Sequence, residues 1–143
     1  MAKSPHETAR AVAAWFEANE ISMRALGMAV AEVAPGRASI TMTVRPDMMN
    51  AAGACHGGYT FTLADTAWAL ATLTRNEVSA VQHAQITYVA PVRLGDVLTA
   101  TSAEVVRRGR NAISDVTITN QAGEIVAVGR GASIITGGKL VPD

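Results

Sequence analysis

The chain has 143 residues, with 12 basic and 12 acidic side chains and a formal net charge of zero. Hydrophobic residues make up 49% and charged residues 17%, which excludes a disordered, solvated chain and a nucleic-acid binder held by bulk positive charge. The length fits one domain over 1–143 with a single sizeable core, and a neutral surface lets copies associate.

Glu7 to Ala25 read as a helix, with Val12, Trp15, Phe16 and, less regularly, Ile21 in its apolar stripe. Pro5 and Gly27 punctuate its ends. Met28 to Val33 form a short apolar run, and Pro35-Gly36 a turn. Ala38, Ile40, Met42 and Val44 then alternate with polar residues, the pattern of a half-buried strand. A loop from Met48 to Cys55 leads through His56-Gly57-Gly58 into a second helix over Tyr59–Leu73. Val81 to Val89 alternate again, Ala84, Ile86 and Tyr88 on one face and His83, Gln85 and Thr87 on the other. Val97–Val106, Ala112–Thr119 and Glu124–Ile135 are three further strands, the first two joined by Arg107-Arg108-Gly109-Arg110. The order is helix, two strands, helix, four strands. Short links between strands imply antiparallel pairing, so the expected fold is α+β: a six-stranded antiparallel sheet curled around the second helix.

Cys55 is the lone cysteine, which excludes an intrachain disulfide and a multi-cysteine metal site and fits a reducing compartment. Met1 to Glu7 lack the apolar segment of a secretory signal. The longest apolar run, Ala11–Phe16, falls far short of the ~20 residues that cross a membrane. A cytoplasmic, soluble chain is the expectation.

Between Met48 and Thr74 the only formally charged side chain is Asp65. On a wheel of about 100° per residue, Leu63, Ala67 and Leu70 oppose Asp65, while Phe61, Trp68 and Thr72 share its side. A helix apolar on both faces is buried all round. One face can rest on its own sheet, and a second copy of the chain is the simplest cover for the other. A carboxylate there is costly unless it is partnered or used. It is either a structural Asp bonded to a hydroxyl or backbone donor, or a base or nucleophile in a dry cleft.

His56-Gly57-Gly58 stands at that helix's start. Glycines let backbone N–H groups approach a ligand, and the first helical turn has donors without internal partners. This makes an oxyanion site, unless the glycines only shape a turn. Gly57 and Asp65 lie eight positions apart, or roughly 12 Å along a helix. A nucleophile or base should lie within ~3–3.5 Å of the carbonyl whose oxygen the N–H holds. One chain cannot easily supply both, whereas two antiparallel helices about a two-fold axis can, giving two shared sites per pair.

Asn50, Cys55-His56-Gly57-Gly58 and Leu63-Ala64-Asp65-Thr66-Ala67 resemble the motif of the PaaI-type hotdog-fold acyl-CoA thioesterases, the phenylacetic-acid-degradation type. Ile86-Thr87-Tyr88-Val89-Ala90-Pro91 with Gly95-Asp96, Gly109-Arg110 and the closing strand through Val126-Ala127 extend the resemblance over most of the chain. It implies a hotdog fold, homodimers assembling into homotetramers, and hydrolysis of acyl-coenzyme A thioesters with no cofactor and no metal. By position it makes Asp65 the general base or nucleophile and the Gly57 N–H the polarising donor. Asn50 places water or carbonyl, and His56 orients the loop and assists Asn50 or the leaving thiolate. The family name points to phenylacetyl-CoA and its ring-hydroxylated relatives, with aryl and medium-chain groups beside them. Where related members often carry a water-orienting Ser or Thr, this chain reads Ser79-Ala80-Val81-Gln82-His83, which leaves that helper unassigned.

Gly58, Phe61 and Trp68 are candidate substrate contacts. Met48 and Met49 could join them in lining an acyl pocket, or all could be core or dimer packing. Arg107, Arg108 and Arg110 are candidates for the coenzyme phosphates, or a solvated turn that discourages edge pairing. Cys55 reads as a small buried thiol rather than a nucleophile, and His83 as structural or a pocket liner. No Gly-x-Ser-x-Gly elbow occurs. Two other functions fit the same residues: a hydroxyacyl-thioester dehydratase using His56 and Asp65, and an acyl-CoA binder without turnover.

Overall fold

The computed structural model describes residues 1–143. Helix α1 runs Pro5–Asn19, with Pro5 inside the first turn rather than ahead of it. Ser4 caps it: its Oγ accepts from the Glu7 N–H at 3.2 Å, and the Glu7 carboxylate accepts from the Ser4 N–H at 2.8 Å. The expected single helix breaks at Glu20, whose ψ of 96° is extended. The Asn19 side chain donates to the Trp15 carbonyl and the Arg24 guanidinium to the Ala18 carbonyl, satisfying the exposed helix end. Helix α2, Ile21–Ala25, follows. The stripe is also corrected. Ala9, Val12, Ala13 and Phe16 face inward, while Trp15 is 36% exposed and Ile21 78%. Trp15 sits about 110° of helix from the centre of that stripe, and the break turns Ile21 outward.

Strands β1 (Ala29–Ala34), β2 (Arg37–Thr43), β3 (Ser79–Tyr88), β4 (Val97–Arg108), β5 (Asn111–Thr119) and β6 (Ile125–Ile135) form one antiparallel sheet. Its order is β1-β2-β4-β5-β6-β3, which makes β1 and β3 the free edges. Alternation drives the sheet around its core. On β5, Ala112, Ser114, Val116 and Ile118 are buried, while the residues between them are partly exposed.

Helix α3, Gly57–Leu73, lies in the concave face and packs on β2, β3, β4, β5 and β6. Leu63, Ala67 and Leu70 are fully buried, as their wheel position requires. The wheel fails for Trp68 and Thr72. Both are 1% exposed and covered by their own sheet, not left for a second copy. The reason lies in β6: Gly129 and Gly131 leave a slot for the indole, and the Thr72 hydroxyl donates to the Ser133 Oγ at 3.3 Å. The uncovered stripe is therefore narrower, comprising Gly58, Phe61, Thr62, Asp65 and Ala69. No helix is long and apolar enough to cross a membrane.

Candidate active site

Asp65 stands near the middle of this open stripe. Its side chain is exposed and makes no hydrogen bond within the chain. The two hydroxyls next to it on the helix are already used: Thr62 Oγ1 donates to the Gly58 carbonyl at 2.8 Å, and Thr66 Oγ1 to the Thr62 carbonyl at 2.7 Å. The structural option of an Asp bonded to a hydroxyl or backbone donor is therefore absent from a single chain. Desolvation by the surrounding chain raises the Asp65 pKa above the ordinary carboxylate value, and the Glu20 carboxylate raises it further. Nothing in the sequence pattern singles out Glu20. Glu20 stands at the break after α1, where its carboxylate accepts from the Ser22 hydroxyl.

The start of α3 is built by the loop before it. The Cys55 N–H donates to the Val92 carbonyl and the His56 N–H to the Met48 carbonyl, both at 2.8 Å. His56 caps the helix: its Nδ1 accepts from the Gly58 N–H at 3.0 Å. That consumes one of the free donors of the first turn. The Gly57 N–H makes no bond within the chain and remains available. His56 is thus placed to orient the loop, with its Nε2 end free of that bond.

Asn50 spends its carboxamide oxygen on the N–H groups of Ala52 and Ala54, at 3.0 and 3.1 Å. Only its amide nitrogen is left to meet another group, as a donor. Cys55 is 7% exposed, its Sγ directed to the His56 carbonyl at 3.6 Å. Burial pushes its thiol pKa up, which removes the thiolate that nucleophilic attack needs. His83 is exposed on the outer side of β3.

Phe61 lies at the rim of the stripe, edge-on to Trp68 with ring centroids 6.0 Å apart. Trp68 itself is spent in the core, with only Phe61 between it and the open stripe. The arginine turn is not brought to Asp65 in one chain. It sits beyond the C-terminal end of α3: Arg107 pairs with Glu77 and Glu104, and Arg110 Nε donates to the Ile135 carbonyl at 3.1 Å. Arg108 is exposed and unpaired.

Two hollows of about 410 and 540 Å³ lie elsewhere on the surface, one over Gln85, Thr87, Asp115 and Arg130 and one beside Arg75, Asn76 and Lys139. Neither reaches Asp65 or Gly57. The helix also keeps Gly57 and Asp65 about two turns apart. One chain thus presents a free donor at the start of α3 and a free carboxylate on its open stripe, too far apart to act on one carbonyl.

A six-stranded antiparallel sheet wrapped around one long helix is the hotdog fold. The family model of the thioesterase superfamily matches residues 52–127, and the chain belongs to that family. The Escherichia coli acyl-coenzyme A thioesterase PaaI is 37% identical over 123 residues, covering 85% of this chain and 87% of its own. The solved structure of E. coli PaaI, from the phenylacetic acid degradation operon, superposes with a TM-score of 0.93 at 34% identity, over 95% of this chain and 99% of that one. A hypothetical thioesterase protein of Streptococcus pneumoniae, solved with coenzyme A, gives a TM-score of 0.75 at 28% identity, over 78% and 90%. The hotdog fold and the PaaI-type kinship expected from the motifs both hold.

Proposed function

We propose that this chain hydrolyses acyl-coenzyme A thioesters of aryl or medium-chain acids, phenylacetyl-CoA and its ring-hydroxylated forms among them, at sites shared between two copies. Thioester hydrolysis is supported by kinship to PaaI and by the coenzyme A bound in the S. pneumoniae structure. The observation that carries the rest is the unbonded Gly57 N–H at the start of α3 and the unbonded Asp65 carboxylate on its open stripe.

Two α3 helices set antiparallel about a two-fold axis put the Gly57 N–H of one copy opposite Asp65 of the other. The free edge of β3, ten residues long, gives the second copy a strand to pair with. Asp65 takes a proton from water as the water oxygen attacks the thioester carbonyl carbon. The Gly57 N–H and the positive end of α3 hold the resulting oxyanion. Collapse breaks the C–S bond, and the coenzyme leaves as a thiolate that is then protonated. Asn50 donates from its amide to the carbonyl or the water, and His56 keeps the first turn in shape. Phe61 of the stripe lines the acyl pocket beside Gly58. Antiparallel pairing also carries the arginine turn of a second copy to the Gly57 end, where Arg108, with Arg110, meets the coenzyme phosphates.

Release of free thiol from a panel of aryl and aliphatic acyl-CoA substrates tests the reading and ranks the acyl groups. Enoyl product without thiol would favour a dehydratase instead, and binding without either product an acyl-CoA carrier. The pH profile adds a check. Asp65 works ionised, as base or as nucleophile, so kcat/KM falls as pH drops through its pKa. Because that pKa is raised, the acid limb lies above the ordinary aspartate value of about 4. Glu20→Gln removes the smaller of the two causes, so the limb moves to lower pH without vanishing. An unmoved limb in Glu20→Gln would place the titration on another group.

A further inference from the structure

The last residue of β3 reaches back to the first residue of α3. The Tyr88 hydroxyl donates to the Gly57 carbonyl oxygen at 2.7 Å. Its ring lies on the same glycine: a Cβ at position 57 would stand 2.9 Å from Tyr88 Cζ and 3.0 Å from the hydroxyl oxygen. Glycine is the residue that admits this approach. Tyr88 is 48% exposed, so burial of its ring does little to fix it there, and the hydrogen bond defines the contact.

The bonded carbonyl belongs to the peptide unit between Gly57 and Gly58. The N–H of that unit is clamped to His56 Nδ1 at 3.0 Å. The plane is therefore held from both ends, by a donor on its carbonyl and an acceptor on its N–H. The preceding unit has its carbonyl, that of His56, bonded by the Tyr59 N–H at 3.0 Å. Its N–H is the free donor of Gly57. Two successive glycines would otherwise leave this turn the most mobile backbone of the helix.

We propose that Tyr88 is a positioning residue for thioester hydrolysis, holding the Gly57 carbonyl so that the Gly57 N–H keeps its aim at the substrate oxygen. This rests on the Gly57 N–H being the oxyanion donor. Desolvation, and secondarily Cys55, raise the tyrosine pKa above its usual value, so the hydroxyl keeps its proton and remains a donor through the neutral and mildly alkaline range. In the sequence pattern Tyr88 is one residue of an alternating strand, on the face of Ala84 and Ile86. Its position at the strand's end, facing a Gly-Gly helix start, is set by topology and has no local signal.

Tyr88→Phe keeps the ring and removes the hydroxyl. On a thioester that the wild type hydrolyses, kcat is expected to fall roughly tenfold, with KM changed less than about twofold, since a misaimed donor weakens the transition state more than the bound substrate. The unfolding temperature should stay near that of the wild type. A spectroscopic reading separates aim from structure: a thioester labelled with ¹³C at its carbonyl, bound to Asp65→Asn, absorbs at a lower frequency than when free. Adding Tyr88→Phe should return the band part of the way to the free value. If the wild type releases thiol while Tyr88→Phe keeps both kcat and the band, Tyr88 has no positioning role and the inference is overturned. If the wild type releases no thiol from any substrate, the reading of Gly57 fails first and takes this inference with it.

Discussion

Asp65→Asn is expected to lower acyl-CoA hydrolysis by at least ~10²-fold, the scale of a removed acid–base group, with no loss of stability. The two halves of that result have one cause. In a single chain the carboxylate is exposed and unbonded, and the Glu20 charge only opposes its ionisation, so it holds nothing together. A carboxyl whose pKa is higher in the folded than in the unfolded chain favours folding only below that range. As pH rises through the raised pKa this contribution is lost, and at neutral pH the ionised group is a net cost. Asn removes the charge and keeps the shape, so the unfolding temperature at pH 7 should hold or rise slightly. Thermal unfolding and thiol release on the same preparation read both halves. A variant that loses activity and stability together would mark Asp65 as structural.

The largest stability effect is expected at Gly129. A Cβ there would lie 2.3 Å from the backbone carbonyl oxygen of Gln85 on β3 and 3.1 Å from the Trp68 ring. One neighbour is backbone and the other a fully buried indole, so neither can step aside cheaply. Overpacking of this kind costs about 1–3 kcal/mol, and for a domain of this size each kilocalorie lowers the unfolding temperature by roughly 2–4 °C. Gly129→Ala should unfold about 2–12 °C below the wild type. Because the displaced strand is β3, which carries Tyr88 and the free edge, part of the activity should go as well. An unchanged melting temperature would mean that β3 is free to shift outward. The same two glycines explain why Trp68 is 1% exposed.

Periodicity and a single charge made much of this legible. Six strands and the helix they wrap follow from alternation at Ala38–Val44 and Ala112–Thr119, and from the almost uncharged stretch around Asp65. The expected antiparallel pairing holds in every ladder. What the wheel could not show was which residues of α3 the sheet would claim. It treats all neighbours alike, whereas the slot for Trp68 depends on two glycines more than sixty positions away. The break at Glu20 was hidden for another reason. Nothing in Asn19-Glu20-Ile21 is a strong helix breaker, and the kink is held by side chains of Asn19 and Arg24 folding back on the helix end. The motif residues Asn50, His56 and Gly57 were legible by type and spacing. Their local duties were not: the Asn50 oxygen is spent on its own loop and His56 Nδ1 on a helix cap.

Sharing of the site between two copies is tested most directly by mixing two inactive chains. Asp65→Asn lacks the acid. Gly57→Pro lacks the N–H yet suits the first position of a helix, where proline is tolerated, and the His56 ψ of 130° already accommodates a following proline. The proline variant also carries Tyr88→Ala, because a Cβ at 57 meets that ring. Unfolded together in equal amounts and refolded, the two chains form mixed pairs in which one site combines Asp65 of the second chain with Gly57 and Tyr88 of the first. Thiol release should then return to roughly a quarter of the wild-type level, since one site in four is intact. Activity that stays at the level of the separate variants would contradict a shared site and place donor and acid within one chain.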